Sequence, residues 1–294
     1  MSESDKPAVT GEKIQKILAR SGVGSRREIE RMIEQGQISV NGKVATLGDR
    51  INGDERVKVS GHLVAVRSQV GFRRRVLVYH KPEGEVCTRR DEQGRRTIFS
   101  SLPKISNGRW INVGRLDLNT SGLLLVTNDG ELANRLMHPS HEVERVYAVR
   151  VYGEVDDEMI ARLQKGVELE DGPAAFEAIV EAGGESRNRW FHVSLREGRN
   201  REVRRLWESQ GVKVSRLIRI RYAGMDLPPG LKNGQYSEME APDVERMAVS
   251  VGLQKSSAPV AGVGQRAPSR SRSNSRVNNT RPAARSNSGR PKRK

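Results

Sequence analysis

The chain has 294 residues, room for one sizeable core and a small accessory domain, and a formal net charge of +16 that points to a polyanionic partner such as nucleic acid. It holds no run of about 18 apolar residues, so no membrane span is expected. Its single cysteine, Cys87, excludes a disulfide within the chain and suits a reducing compartment.

Residues 1–10 are polar and acidic and read as a loose leader, unlike a signal peptide, so the cytoplasm is the expected location. A first unit is expected over 11–60. Ile14, Ile17 and Leu18 recur at helical spacing, and Ser25 can cap a second helix with an apolar stripe of Ile29, Met32 and Ile33. Gly36 then stops the helix. Asn41-Gly42 signals a hairpin, because both residues tolerate positive φ. Residues 61–74 are expected to form a linker, basic over 67–74. The second unit, 75–242, begins with a short buried strand at 76–79, ended by Lys81-Pro82. Further strands are read at 110–113, 123–126, 147–151 and 191–195. Helices are read from Asp129-Gly130 to before Pro139 and over 201–209, where Val203, Leu206 and Trp207 share a face. Many strands with few helices predict an α+β fold on a mixed, mostly antiparallel sheet. Order is expected to fade after about Ala241.

The charge is uneven. Residues 255–294 carry 11 Lys or Arg and no Asp or Glu, leaving 41 basic against 36 acidic residues in 1–254. This Ser-, Arg-, Asn- and Pro-rich tail has no aromatic residue and cannot bury a core, so it reads as disordered. It either adds nonspecific, salt-sensitive RNA affinity or serves solubility. Overall charge therefore does not by itself make the folded part an RNA binder. No metal is expected: the five histidines form no ligand spacing with Cys87, and Pro139 separates His138 from His141.

In the first unit, Arg26, Arg27 and Arg31 avoid the apolar stripe of their helix. Guanidinium groups beside a helix N-terminus suit phosphate. The segment Lys16-Ile17-Leu18-Ala19-Arg20-Ser21-Gly22-Val23-Gly24-Ser25-Arg26-Arg27-Glu28, with Gly36 and Val40-Asn41-Gly42-Lys43, resembles the small S4-like RNA-binding domain of a ribosomal protein, tyrosyl-tRNA synthetases and several RNA-modifying enzymes.

In the second unit, an Asp in a loop between strands is by itself more often a turn former. The longer stretch Val113-Gly114-Arg115-Leu116-Asp117, followed by Asn119-Thr120-Ser121-Gly122-Leu123-Leu124-Leu125, is more specific. It resembles the catalytic motif of pseudouridine synthases, in the branch with the small RNA-binding domain at its N-terminus. Asn128-Asp129-Gly130-Glu131, Leu136-Met137-His138-Pro139, Glu144-Arg145-Val146-Tyr147-Ala148-Val149 and Glu197-Gly198-Arg199-Asn200-Arg201-Glu202-Val203-Arg204-Arg205-Leu206-Trp207 continue the match in order over roughly 12–240.

The resemblance implies an isomerase that converts uridine to pseudouridine in RNA. It gains and loses no atoms and needs no cofactor or nucleotide. It makes Asp117 the catalytic carboxylate, acting on the sugar or on the base. Tyr147 becomes the aromatic platform for the base, although it also reads as a core residue sharing a face with Val149 and Val151. Arg204 becomes the partner that orients Asp117, and Arg115 the residue that fills the space left by the flipped uridine. Arg199, Arg201 and Arg205 compete with Arg204 and otherwise bind RNA. The 199–207 stretch and Tyr79-His80-Lys81-Pro82-Glu83-Gly84-Glu85-Val86-Cys87-Thr88 are most similar to the enzymes of large-subunit rRNA. The implied partner is 23S ribosomal RNA, free or in a pre-50S particle, near the peptidyl-transferase centre, and the enzyme is expected to be a monomer. Other readings are a relative with another rRNA or tRNA target, a non-catalytic ribosome-assembly factor, or a glycosidase that releases free base.

Overall fold

A computed structural model describes residues 11–66, 72–105 and 108–255. The expected leader, the middle of the expected linker and nearly all of the expected tail lie outside them.

In the first unit, helices Ile14–Arg20 and Arg26–Glu34 bury Ile14, Ile17 and Leu18 against Ile29 and Ile33. The Ser25 hydroxyl accepts from the Glu28 N–H at 3.1 Å, and the Glu28 carboxylate accepts from the Ser25 N–H at 3.3 Å. This reciprocal cap starts the second helix at the expected residue. Asn41 and Gly42 both have positive φ, 49° and 86°, and close a hairpin. The expected linker begins too early at 61. His62–Val64 is a strand that pairs with Val57–Val59 through Ser60 and Gly61, at φ 48° and 83°. Serine rarely adopts that conformation, so the turn carries a weak sequence signal.

Among the described residues, nine strands form the larger sheet. Its main path runs Ala178–Glu185, Asn188–Leu195, Arg145–Tyr152, Lys213–Tyr222, Ser121–Thr127, Val76–Lys81 and Tyr236–Glu238. The pairing is antiparallel except between Lys213–Tyr222 and Ser121–Thr127. Two cores lie on the two faces. Leu77, Tyr79, Leu124 and Val126 join Val149 and Trp207 in one, and Val76, Val78, Leu123 and Leu125 join Leu132 and Leu136 in the other. Every residue of Ser121–Thr127 is buried, which explains its unbroken apolar run.

The parallel crossing depends on Gly122. It faces Arg219 across the strands at φ 105°, and a Cβ there would collide with the Arg219 backbone. Gly122→Ala is expected to lower stability by at least ~3 kcal/mol, because strain and collision act together. Chemical denaturation measures it, and a loss below about 1 kcal/mol would show that the strands can part freely.

Elements beyond those marked by the periodicity include helix Asp157–Lys165 and strand Lys213–Tyr222. The expected fading of order after Ala241, with a domain end at 242, is corrected by helix Ala241–Ser250. Its Val244, Met247 and Ala248 are buried in the second core, with Val251 just beyond. Their spacing is helical and Pro242 suits a first turn, so the signal was present but short.

Candidate active site

The loop 113–120 joins strand Ile111–Asn112 to Ser121–Thr127 and carries Asp117 into a cleft of about 490 Å³. Every backbone carbonyl from Leu116 to Thr120 accepts a hydrogen bond. Cys87 Sγ contacts Leu116 O at 3.5 Å, and Gly84 N–H donates to Leu118 O at 2.8 Å. Lys81 Nζ donates to Asp117 O at 3.0 Å, Thr120 O at 2.9 Å and Pro82 O at 3.0 Å. Arg204 Nη2 donates to Asn119 O at 2.8 Å. Such a loop has little freedom left. Its carbonyls from Leu116 to Thr120 are all engaged, while the half-buried Asp117 carboxylate has no hydrogen bond or ion pair with any described residue.

Lys81 is fully buried at the end of its strand, and burial pushes its ammonium pKa below the ordinary lysine value. Burial also pushes the Cys87 thiol up, so it stays protonated as a packing group. Glu202 is likewise raised by burial. It accepts from the Arg199 N–H at 3.0 Å and fixes the turn before helix Glu202–Glu208. Trp207 anchors that helix in the core, 5.1 Å from the Phe191 ring and 6.0 Å from Phe176.

Tyr147 shares the cleft with Asp117. It closes the apolar row of Val149 and Val151 and is 9% exposed, so it is a core residue with one side open to the cleft. Arg115 stands exposed at the cleft, and Arg199 and Arg201 also line it.

One arginine expectation needs correction. Arg204 makes no direct ion pair with Asp117 among the described residues: its guanidinium spans Val214 O and Asn119 O, both at 2.8 Å, and burial lowers its pKa while the nearby Asp117 charge opposes that. Arg205 stands outside the cleft lining, and both of its outer nitrogens bond Asp171 at 2.8 Å. Arg199 also reaches Asp171, at 3.3 Å.

Arg26, Arg27 and Arg31 are exposed on their helix, and the first two line a second cleft of about 730 Å³ with Arg74 and Arg109. Lys81 and Arg219 are site residues that the pattern of the sequence does not mark. A Lys-Pro pair ending an apolar strand was a usable signal for Lys81. Nothing local distinguishes Arg219 from Arg216 and Arg221. No helix among the described residues is long and apolar enough to cross a membrane.

The RNA pseudouridylate synthase family model matches residues 75–209, and the S4 domain model matches residues 12–57. Ribosomal large subunit pseudouridine synthase B of Pasteurella multocida is 59% identical, over 84% of this chain and 72% of that protein. The protein of the same name from Escherichia coli K12 is 60% identical, over 78% of this chain and 79% of its own length. The chain belongs to the pseudouridine synthase B family. A pseudouridylate synthase crystal structure matches its fold with a TM-score of 0.55 at 24% identity, covering 80% of this chain and 99% of that one. As a member of the pseudouridine synthase B family it is an isomerase. The loop that holds Asp117 lies within the matched catalytic domain, and the arginine-bearing helix lies within the matched S4 domain.

Proposed function

We propose that this protein isomerises one uridine of 23S ribosomal RNA, near the peptidyl-transferase centre, with Asp117 as the essential carboxylate. The observation that carries the reading is the Asp117 loop, whose carbonyls from Leu116 to Thr120 are all hydrogen-bonded while its carboxylate stays free in a cleft shared with Tyr147. The large-subunit target is supported by the names of relatives about 60% identical over most of the chain.

The uridine leaves its stack and enters the cleft, which costs a few kcal/mol in a duplex. Arg115, exposed and free of ion pairs among the described residues, fills the gap with its planar guanidinium. Breaking the N-glycosidic bond leaves the electron pair on the base and positive character on the sugar carbon, which the Asp117 carboxylate compensates. The base turns against Tyr147 and rejoins through carbon. The hydrogen on that carbon leaves as a proton, with help from the Tyr147 hydroxyl, and N1 takes one up, so no proton is gained or lost overall. Arg204 acts on the loop by holding Asn119, and its charge is also felt by the nearby Asp117 carboxylate. Atoms balance without a cofactor. The RNA is free or part of an assembling pre-50S particle, and a monomer suffices.

Mapping pseudouridine in rRNA from a strain lacking this protein tests the reading. One large-subunit position is expected to revert to uridine; an unchanged map, or release of free uracil by the purified protein, rules it out.

The arginines of the first unit supply grip. Replacing Arg26, Arg27 and Arg31 together by Ala is expected to weaken rRNA-fragment binding and flatten the log–log salt dependence by about 2, near 0.7–0.9 per lost phosphate contact. The chemical step on bound RNA should be unchanged. Binding titrations at several salt concentrations check this, and an unaltered slope would place the RNA elsewhere.

A further inference from the structure

Arg219 is 3% exposed and lines the Asp117 cleft. Its Nε donates to Leu123 O at 2.8 Å, and its guanidinium carbon lies 4.6 Å from the Tyr222 ring centroid. It has no ion pair among the described residues, and its buried Nη2 has no hydrogen-bond partner. A buried cation without a carboxylate is expensive, and an unsatisfied buried donor adds to that. The Leu123 carbonyl and the Tyr222 ring compensate only part of that cost. Arg219 is also placed by register. It is the cross-strand partner of Tyr147 on one side and of Gly122, five residues after Asp117, on the other. Platform, guanidinium and catalytic loop therefore lie side by side.

We infer that Arg219 is a catalytic residue that binds the uracil itself, donating from Nη1, which is unpaired and not sealed off as Nη2 is, to a ring carbonyl oxygen and stabilising the charge that appears there. This rests on the proposed function. When the N1–C1′ bond breaks, its electron pair goes to N1 and spreads by conjugation onto O2 and O4. Arg219 stabilises that anion and keeps its own protons. The charge disappears when the C5–C1′ bond forms; the C5 hydrogen then leaves as a proton while N1 takes one up, so the product base is neutral. A preorganised donor at such an oxygen is worth about 10²–10³ in rate. The depth of Arg219 in the cleft favours a flipped base over a backbone phosphate.

The test uses the full-length enzyme under single-turnover conditions, on a large-subunit rRNA fragment carrying the mapped uridine. The same fragment is also made with 2-thiouridine or 4-thiouridine at that position. Arg219→Met is expected to slow the chemical step by about 10²–10³ with RNA affinity within about 3-fold. Sulfur is a poorer acceptor, so one of the two thio substitutions should slow the wild type by about 10-fold or more and the variant by less than about 2-fold. A merely structural role, or one exercised through Asp117, gives equal slowing in both proteins and overturns the inference, as does a wild-type rate in Arg219→Met. If Arg219→Met fails to fold, Arg219→Lys is read in the same cycle. Wild type that modifies no large-subunit fragment sinks the proposed function instead, so the two failures are distinct.

Discussion

Asp117→Asn should abolish pseudouridine formation, lowering single-turnover activity by at least about 10⁴-fold while RNA affinity stays within about 3-fold. The substitution keeps the shape of the side chain and removes only its charge. The loop should not move, because it is held through backbone carbonyls by Lys81, Gly84, Cys87 and Arg204 and not through the carboxylate. The variant should therefore melt within a degree or two of the wild type. Loss of a charge that compensates a cationic sugar carbon removes the main electrostatic stabilisation of the reaction. A filter-binding titration and pseudouridine mapping on the same RNA separate the two properties. A variant that still modifies rRNA would falsify the assignment of Asp117.

Lys81→Met should damage activity and stability together. The side chain touches nothing outside the protein, being 0% exposed, so any effect on RNA must act through the loop. Methionine matches its length but leaves the carbonyls of Pro82 and Thr120 without this donor, and takes one of two donors from Asp117 O. Each buried acceptor left unpaired costs about 1–3 kcal/mol, so a loss of about 3 kcal/mol or more is expected. Once released, the loop need shift Asp117 by only about 1 Å to lower the chemical step by about 10²-fold. Denaturant melts and single-turnover rates measure the two effects, with RNA affinity as control. Near-normal activity in a destabilised protein would mean that Lys81 serves the fold alone. On the proposed function, Asp117 acts on the substrate and Lys81 holds its loop still.

The sequence carried what depends on near neighbours. Ser25 and Glu28 cap a helix across three residues, and Asn41-Gly42 turns a hairpin on its own φ preferences. The apolar spacing of Val203, Leu206 and Trp207 is a property of one short helix. Asp117 and Tyr147 could be picked out because they sit within long ordered motifs, and the fold brings both to one cleft. The tertiary structure alone decided the arginines. Every guanidinium has the same chemistry, so its role follows from which acceptors lie within reach, and these come from distant segments. Arg204 meets Asn119 across 85 residues, Arg205 meets Asp171 across 34, and Arg219 meets Leu123 across 96. The same holds for Lys81, whose acceptors Asp117 and Thr120 lie 36 and 39 residues away. Periodicity can mark a buried strand, but it cannot say which carbonyl will stand at the end of a buried ammonium. That is settled only when Ser121–Thr127 is paired on one side with Val76–Lys81 and on the other with Lys213–Tyr222.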